Sequence, residues 1–212
     1  MKRNICIIFV CLLLADGISA QNANAILDKA AAAYNTSNGL SATFAIRACS
    51  EQQNIVESFE GKINMKGDKF TLQTPDILTW YDGSTQWVYM TRAEEVNVSV
   101  PTGDELQLTN PSILLNSYKK GFTAVFKGES TAPNGKAAYD VTLTPKKKSD
   151  VTKIELQIEK YSSLPACIVI QMKNGLSNTI VISDVKTDIN QPDGFFLFNE
   201  AAYPDAEIID LR

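Results

Sequence analysis

The residue types that usually carry catalysis are thinly supplied in this chain. There is no histidine among its 212 residues, which removes a Ser-His-Asp triad, a Cys-His pair and any zinc site built on imidazole. The commonest general base near neutral pH goes with it. Carboxylates remain, and Glu94-Glu95 and Glu155/Glu159 are the pairs to weigh. Glu94 and Glu95 are adjacent, so on a strand they point to opposite faces. Glu155 and Glu159 share a face, but it alternates with Ile154, Leu156 and Ile158 and reads as the solvated side of a strand. A glycosidase-like dyad is therefore not expected. Neither a catalytic residue nor a metal or cofactor site is assigned, and the chain does not read as an enzyme.

Residues 1–20 read as a signal peptide. Lys2 and Arg3 precede the apolar run Ile5 to Ala15, which is too short to span a bilayer, and Gly17-Ile18-Ser19-Ala20 offers a small residue for cleavage before Gln21. Cys6 and Cys11 lie inside the apolar run and are not placed as a lipid-attachment site would be. The mature chain of 192 residues, 21–212, then carries a net charge of −5 and reads as a single domain. Its one basic block, Lys146-Lys147-Lys148, reads first as a solvated hairpin loop and only weakly as a phosphate patch. Nucleic acid is a poor partner for such a chain, which lacks basic-aromatic interleaving. Cleavage leaves two cysteines, Cys49 and Cys167. An oxidising compartment suggests one disulfide, but the alternation of neighbours places both on the polar face of their strands. A bridge and two inert thiols both stay open.

The elements that position these residues follow from periodicity. Asn22 or Asn24 can cap a first helix with Ile26, Leu27, Ala30 and Tyr34 on one face, stopped by Asn38-Gly39. The period then falls to two: Ala42, Phe44, Ile46 and Ala48 alternate with polar or small residues, as do Phe59, Gly61, Ile63 and Met65. Phe70 and Leu72 continue inward, Leu78 and Trp80 run to an Asp82-Gly83 hairpin turn, and Val96, Val98 and Val100 follow. Asn110-Pro111-Ser112 starts a second helix carrying Ile113, Leu114, Leu115 and Tyr118. Further strands come at 122–126, 139–143, 154–158, 168–172 and 180–185, and Phe195-Phe198 and Ile208-Ile209 finish the chain. About ten strands without βαβ spacing predict a mainly β fold: one curved antiparallel sheet with an apolar inner face, covered by helices.

Residues 70–89 go beyond generic alternation. Thr79-Trp80-Tyr81 before Asp82-Gly83, the returning Trp87-Val88-Tyr89, then Glu94-Glu95-Val96 and the Asn110-Pro111 helix start together resemble the LolA-type outer-membrane lipoprotein carriers. Leu164-Pro165, Asn174-Gly175, Asp184-Val185-Lys186, Phe196, Phe198 and Ile209-Asp210 fit more loosely. The resemblance implies a half-barrel with an apolar cavity for the acyl chains of lipoproteins. It implies a monomeric periplasmic carrier that receives acylated lipoproteins from an inner-membrane ABC transporter and hands them to an outer-membrane acceptor where one exists. Members have an arginine shortly after the glycine-led strand, held to latch the lid. Gly67 occupies that place here, between Lys66 and Asp68, so the latch is unassigned.

A carrier cavity needs apolar, adaptable walls without fixed polar anchors. The inward alternation nominates Phe44, Ile63, Met65, Phe70, Leu72, Leu78, Trp80, Val96 and Val98, with Ile113 and Leu114 on the covering helix. Taken singly, each reads more readily as packed core, and Trp80 and Trp87 as a cross-strand pair flanking their turn. The other function compatible with the fold is a lipid-binding or envelope-sensor module. Recovery of the protein with intact triacylated lipoprotein, or with free lipid alone, discriminates the two.

Overall fold

The computed structural model describes residues 22–50, 55–103, 105–106 and 110–212; the predicted signal peptide lies outside the described residues. A helix over 22–36 (α1) leads into β1 (Leu40–Ser50), β2 (Ile55–Lys66), β3 (Lys69–Gln73), β4 (Ile77–Tyr81), β5 (Gln86–Met90) and β6 (Glu95–Ser99). A second helix, α2 (Pro111–Gly121), precedes β7 (Phe122–Thr131), β8 (Ala137–Pro145), β9 (Val151–Glu159), β10 (Pro165–Met172) and β11 (Ser177–Thr187). Two short 3-10 turns, Asp193–Phe196 and Glu200–Ala202, separate β11 from β12 (Glu207–Asp210).

The strands form one twelve-stranded sheet in the order β12-β6-β5-β4-β3-β2-β1-β11-β10-β9-β8-β7. Each neighbour pair is antiparallel except β12, which runs parallel to β6. This is the open antiparallel sheet that the alternation predicts, and it fits the half-barrel that the resemblance implies. Four hairpin connections, at 146–150, 173–176, 74–76 and 91–94, therefore lie along one rim of the sheet, together with the end of β1, the start of β2 and the end of α2.

Both helices sit on the inner face. Ala23, Leu27 and Ala30 of α1 are fully buried at helical spacing. Asn22 and Asn24 both lie inside the helix, and Asn24 instead accepts the Tyr118 hydroxyl at 3.2 Å, so the expected capping role is not theirs. Gly39 ends the approach to β1 with φ +136°, where a Cβ would sit 2.1 Å from the Ile189 carbonyl oxygen; only glycine fits. The helix expected from Asn110-Pro111 begins there, and Asn110 caps it, its buried side-chain oxygen accepting from the Ser112 and Ile113 amides at 2.9 and 3.4 Å. Leu114, Leu115 and Tyr118 pack from α2 onto Phe70, Val141, Leu143, Ile154, Leu156 and Ile158 in one core.

The outer face of β4–β6 has a different cover. After β11 the chain crosses the outside of β2–β5 as a strap, and residues 195–198 fall in a 3-10 turn and loop of this strap, not in a strand. Lys66 donates to the Gln191 carbonyl at 3.0 Å and pairs with Asp193 at 3.1 Å; Lys69 pairs with Asp193 at 3.3 Å. The two lysines hold the Asp193 carboxyl below the usual range. Phe198 and Tyr203 then meet Trp80 edge-on at 5.4 and 5.7 Å between centroids, and Tyr203 packs on Tyr89 at 4.7 Å. Trp80 and Trp87 are directly opposed across their hairpin, the cross-strand pair that their spacing allows.

Candidate functional site

Strand register decides which side chains face which way, and it divides the eleven expected cavity residues. Phe70 and Leu72 are inner-face residues, and across β3–β4 they oppose Tyr81 and Thr79. The inner positions of β4 are thus Ile77, Thr79 and Tyr81, and Leu78 and Trp80 face outward. Through β5 the same register opposes Leu78 to Tyr89 and Tyr89 to Val96, with Trp87 opposite Val98. Leu78, Trp80, Val96 and Val98 therefore belong to the outer face with the strap, and not to the inner cavity. The reversal arises at the Thr74–Ile77 turn, where the Thr74 amide donates to the Ile77 carbonyl at 2.9 Å. That turn resets the alternation and places a polar residue, Thr79, in an inward slot that is 7% exposed.

Of the rest, Ile63, Met65, Phe70 and Leu114 are buried in the inner core and Ile113 packs against it. Phe44 and Leu72 border open space. They line a groove of about 570 Å³ with Ile46, Phe59, Pro75 and Ile77, while Glu57, Ser58, Thr74 and Asp76 complete its lining. Phe59 and Ile77 are each 38% exposed, and a smaller recess of about 340 Å³ opens between α1 and β7–β9 at Ile26, Phe126 and Tyr139.

Local geometry explains the groove. β3 pairs with β2 only from Gln73 opposite Lys62 onward, so β2 residues 55–61 have β1 beside them and no β3. The chain turns away at 74–76 and leaves a notch. Gly61 opposes Phe44 across the β1–β2 ladder, and a Cβ on Gly61 would lie 2.4 Å from Phe44 Cζ and 2.4 Å from the Gln73 carbonyl oxygen. Glycine here lets the Phe44 ring lie flat across β2 as the groove floor. A second recess of about 660 Å³ adjoins the notch, shares Phe44, Thr74 and Pro75, and reaches Thr43, Ser183 and Asp184 on the outside of the sheet. Ile46 and Phe59 carried an inward signal in their alternation; Pro75 and Ile77 carried none, because they belong to the turn.

The remaining chemistry-bearing residues do not converge. Glu159 is 4% exposed, not solvated as the alternation predicts. Burial alone would push its carboxyl up, but hydrogen bonds from Ser162, Lys136 and Asn134 outweigh this and hold it below the usual range. Glu155 pairs with Lys153 at 2.9 Å. Glu94 lies in the turn before β6, and its carbonyl accepts the Glu207 amide where β12 joins the sheet. Cys49 opposes Ser177 and Cys167 opposes Val181, with β11 lying between their strands. Two strand spacings and a four-residue offset separate them by about 10 Å across and about 13 Å along the sheet. That exceeds the reach of a disulfide. Both are free thiols, and burial pushes the Cys167 thiol up. Gly67 occupies the β2–β3 turn with φ +58°. Among the described residues no group of acidic or cysteine side chains could hold a metal ion, and no helix is long and apolar enough to cross a membrane.

The fold resembles several solved structures. An uncharacterized conserved protein from Thermus thermophilus superposes with a TM-score of 0.62 at 16% identity, covering 89% of this chain and 99% of that one. A DUF1329 family protein from Desulfovibrio piger gives 0.50 at 15% identity, covering 87% and 99%. A LolA superfamily protein from Nitrosomonas europaea gives 0.47 at 16% identity, covering 83% and 97%. No curated protein matches the sequence. The model of one family does, over residues 15–176, and it is that of the outer membrane lipoprotein carrier protein LolA. Spanning most of the chain, from the predicted leader through β10, that match places the protein in the LolA family.

Proposed function

We propose that this protein is a periplasmic carrier that shields the acyl chains of lipoproteins on their way from the inner to the outer membrane. The observation that supports this most is the groove at the rim, where the large apolar side chains Phe59 and Ile77 stay partly exposed. Six of its ten lining residues are apolar, which suits a hydrocarbon ligand better than one needing fixed hydrogen bonds.

The size of the groove fits a reversible task. Burying an acyl chain is worth about 0.8 kcal/mol per methylene, so a sixteen-carbon chain gains on the order of 12 kcal/mol if fully enclosed. A carrier that enclosed two or three chains completely would not release them. A groove of about 570 Å³ open at the rim takes part of the hydrocarbon and leaves the remainder for the acceptor to compete for. The predicted signal peptide exports the chain, and an ABC transporter in the inner membrane and an outer-membrane acceptor are its expected partners. It performs no catalytic step in this role.

Native mass spectrometry of the protein recovered from its own cell envelope tests the proposal. Recovery bound to intact triacylated lipoprotein is the expected result. Recovery with free lipid alone, or correct sorting of lipoproteins in cells depleted of the protein, would overturn it.

A further inference from the structure

The rim that carries the groove is electrostatically lopsided, and its basic half has no role in the reading above. Lys119 and Lys120 end α2, Lys146-Lys147-Lys148 form the β8–β9 connection, and Lys173 opens the β10–β11 turn. Backbone hydrogen bonds hold the three segments together. The Lys146 amide donates to the Gly121 carbonyl and the Lys173 amide to the Asp150 carbonyl, each at 2.9 Å. Lys146 Nζ also donates to the Lys119 carbonyl at the helix end. All six lysines are exposed. Lys119 pairs with Asp28, and among the described residues the other five make no ion pair, with Asp150 the acidic side chain set between these segments. On the other half of the rim Arg92 is already neutralised by Asp76 at 2.9 Å, and Glu94 and Glu95 follow.

An acidic chain that gathers six lysines at one end of its sheet concentrates its attraction for anions there. The segment ends form a broad strip without a cavity, which suits a surface of many weak charges and not one phosphate held in a pocket. Further along the same rim lie the large apolar residues Val56, Phe59 and Ile77, which are 64%, 38% and 38% exposed. Lysines beside partly exposed apolar side chains are the composition of a membrane-surface contact, in which cations meet headgroups and apolar groups enter the interface.

We propose that this rim docks on an anionic phospholipid surface through Lys119, Lys120, Lys146, Lys147, Lys148 and Lys173, turning the groove mouth toward the bilayer. The contact stands on the placement of charge and exposed apolar side chains along the rim and does not depend on the groove taking an acyl chain.

Vesicle flotation of the purified exported protein tests it, with phosphatidylcholine vesicles compared with vesicles that also contain phosphatidylglycerol. Binding to the anionic vesicles only, weakened by added salt, is expected. Each lysine near the surface is worth about fivefold in affinity, so K146Q/K147Q/K148Q should lose about a hundredfold. The charge-conserving K146R/K147R/K148R should retain binding, and K29Q/K127Q/K186Q, which lie off this rim, should change it less than about tenfold. Equal binding to both vesicle types, equal loss in the two glutamine variants, or failure to bind any vesicle would overturn the proposal. The last result would point to an acidic protein partner instead. None of these outcomes bears on lipoprotein capture, which is read separately by mass spectrometry.

Discussion

The inner and outer faces of β3–β6 carry comparable apolar alternation and end in different states. On the outer face, Trp80, Tyr89, Val96 and Val98 lie under the strap, where Phe196 is fully buried and Val96 is too. On the inner face, Phe70 and Tyr81 are buried with α2 against the same core, but the cover stops before the 74–77 turn and leaves Phe59 and Ile77 partly in water. A cover that runs the full length of an apolar stripe makes core. A cover that ends one turn short leaves the open groove that we propose as the binding site. What separates buried from open apolar surface here is the reach of the element above it, since both stripes are built of the same residue types.

Four variants probe that contrast. Phe196→Ala removes a fully buried ring from under the strap and should cost about 3–5 kcal/mol in urea denaturation, with Trp80 emission shifting to the red. A loss below about 1 kcal/mol would mean the strap is an ornament and the outer stripe is as accessible as the groove. Gly61→Ala should cost about 3 kcal/mol, because the Gln73 carbonyl oxygen cannot move aside as the Phe44 ring can. It should also change ligand uptake, whereas a neutral effect on both would separate the groove floor from Gly61.

Glu159→Gln breaks a buried polar network at the far rim and should cost about 2 kcal/mol. Its carboxyl titrates below the usual range in the folded chain. The stabilisation is therefore complete above the unfolded value, near 4.3, and is lost as pH falls through the folded value. The wild type should converge on the variant in acid, and a gap that persists there would contradict this. Smallest in stability is the double change Phe59→Ser with Ile77→Ser, within about 1 kcal/mol because both side chains are already partly exposed. Its effect on a fluorescent long-chain fatty acid should exceed tenfold in affinity. A large stability loss would place these residues in the core and remove the distinction between the two faces.

Much of the architecture is legible in the residues. The two helices, their buried faces, the Asn110 cap and the period-two strands depend on local chemistry that alternation and capping report directly. The placement of Cys49 and Cys167 on the polar face was readable too, although strand order, which no local pattern carries, decides that they cannot meet. The site was legible only in part. Phe44 and Leu72 follow from alternation, but carrying that alternation through Thr74-Pro75-Asp76 inverts the assignment of Leu78 and Trp80, and then of Val96 and Val98. The inward slot holds Thr79, whose polarity hides it. The strap is equally unreadable, since Phe195-Phe196-Leu197-Phe198 looks like a strand and its partners are aromatic faces more than a hundred residues earlier. Register errors of one residue leave the fold intact and move the site to the wrong side of the sheet.

The claim that the rim groove, and no other apolar surface, receives acyl chains is tested most directly by site-specific photocrosslinking in the cell envelope. A photoreactive phenylalanine analogue replaces Phe59 in one strain and Trp87 in another, on opposite faces of the sheet. Capture of acylated lipoprotein from position 59 and none from position 87 is the predicted result. Equal capture from both, or capture from position 87 alone, would contradict it.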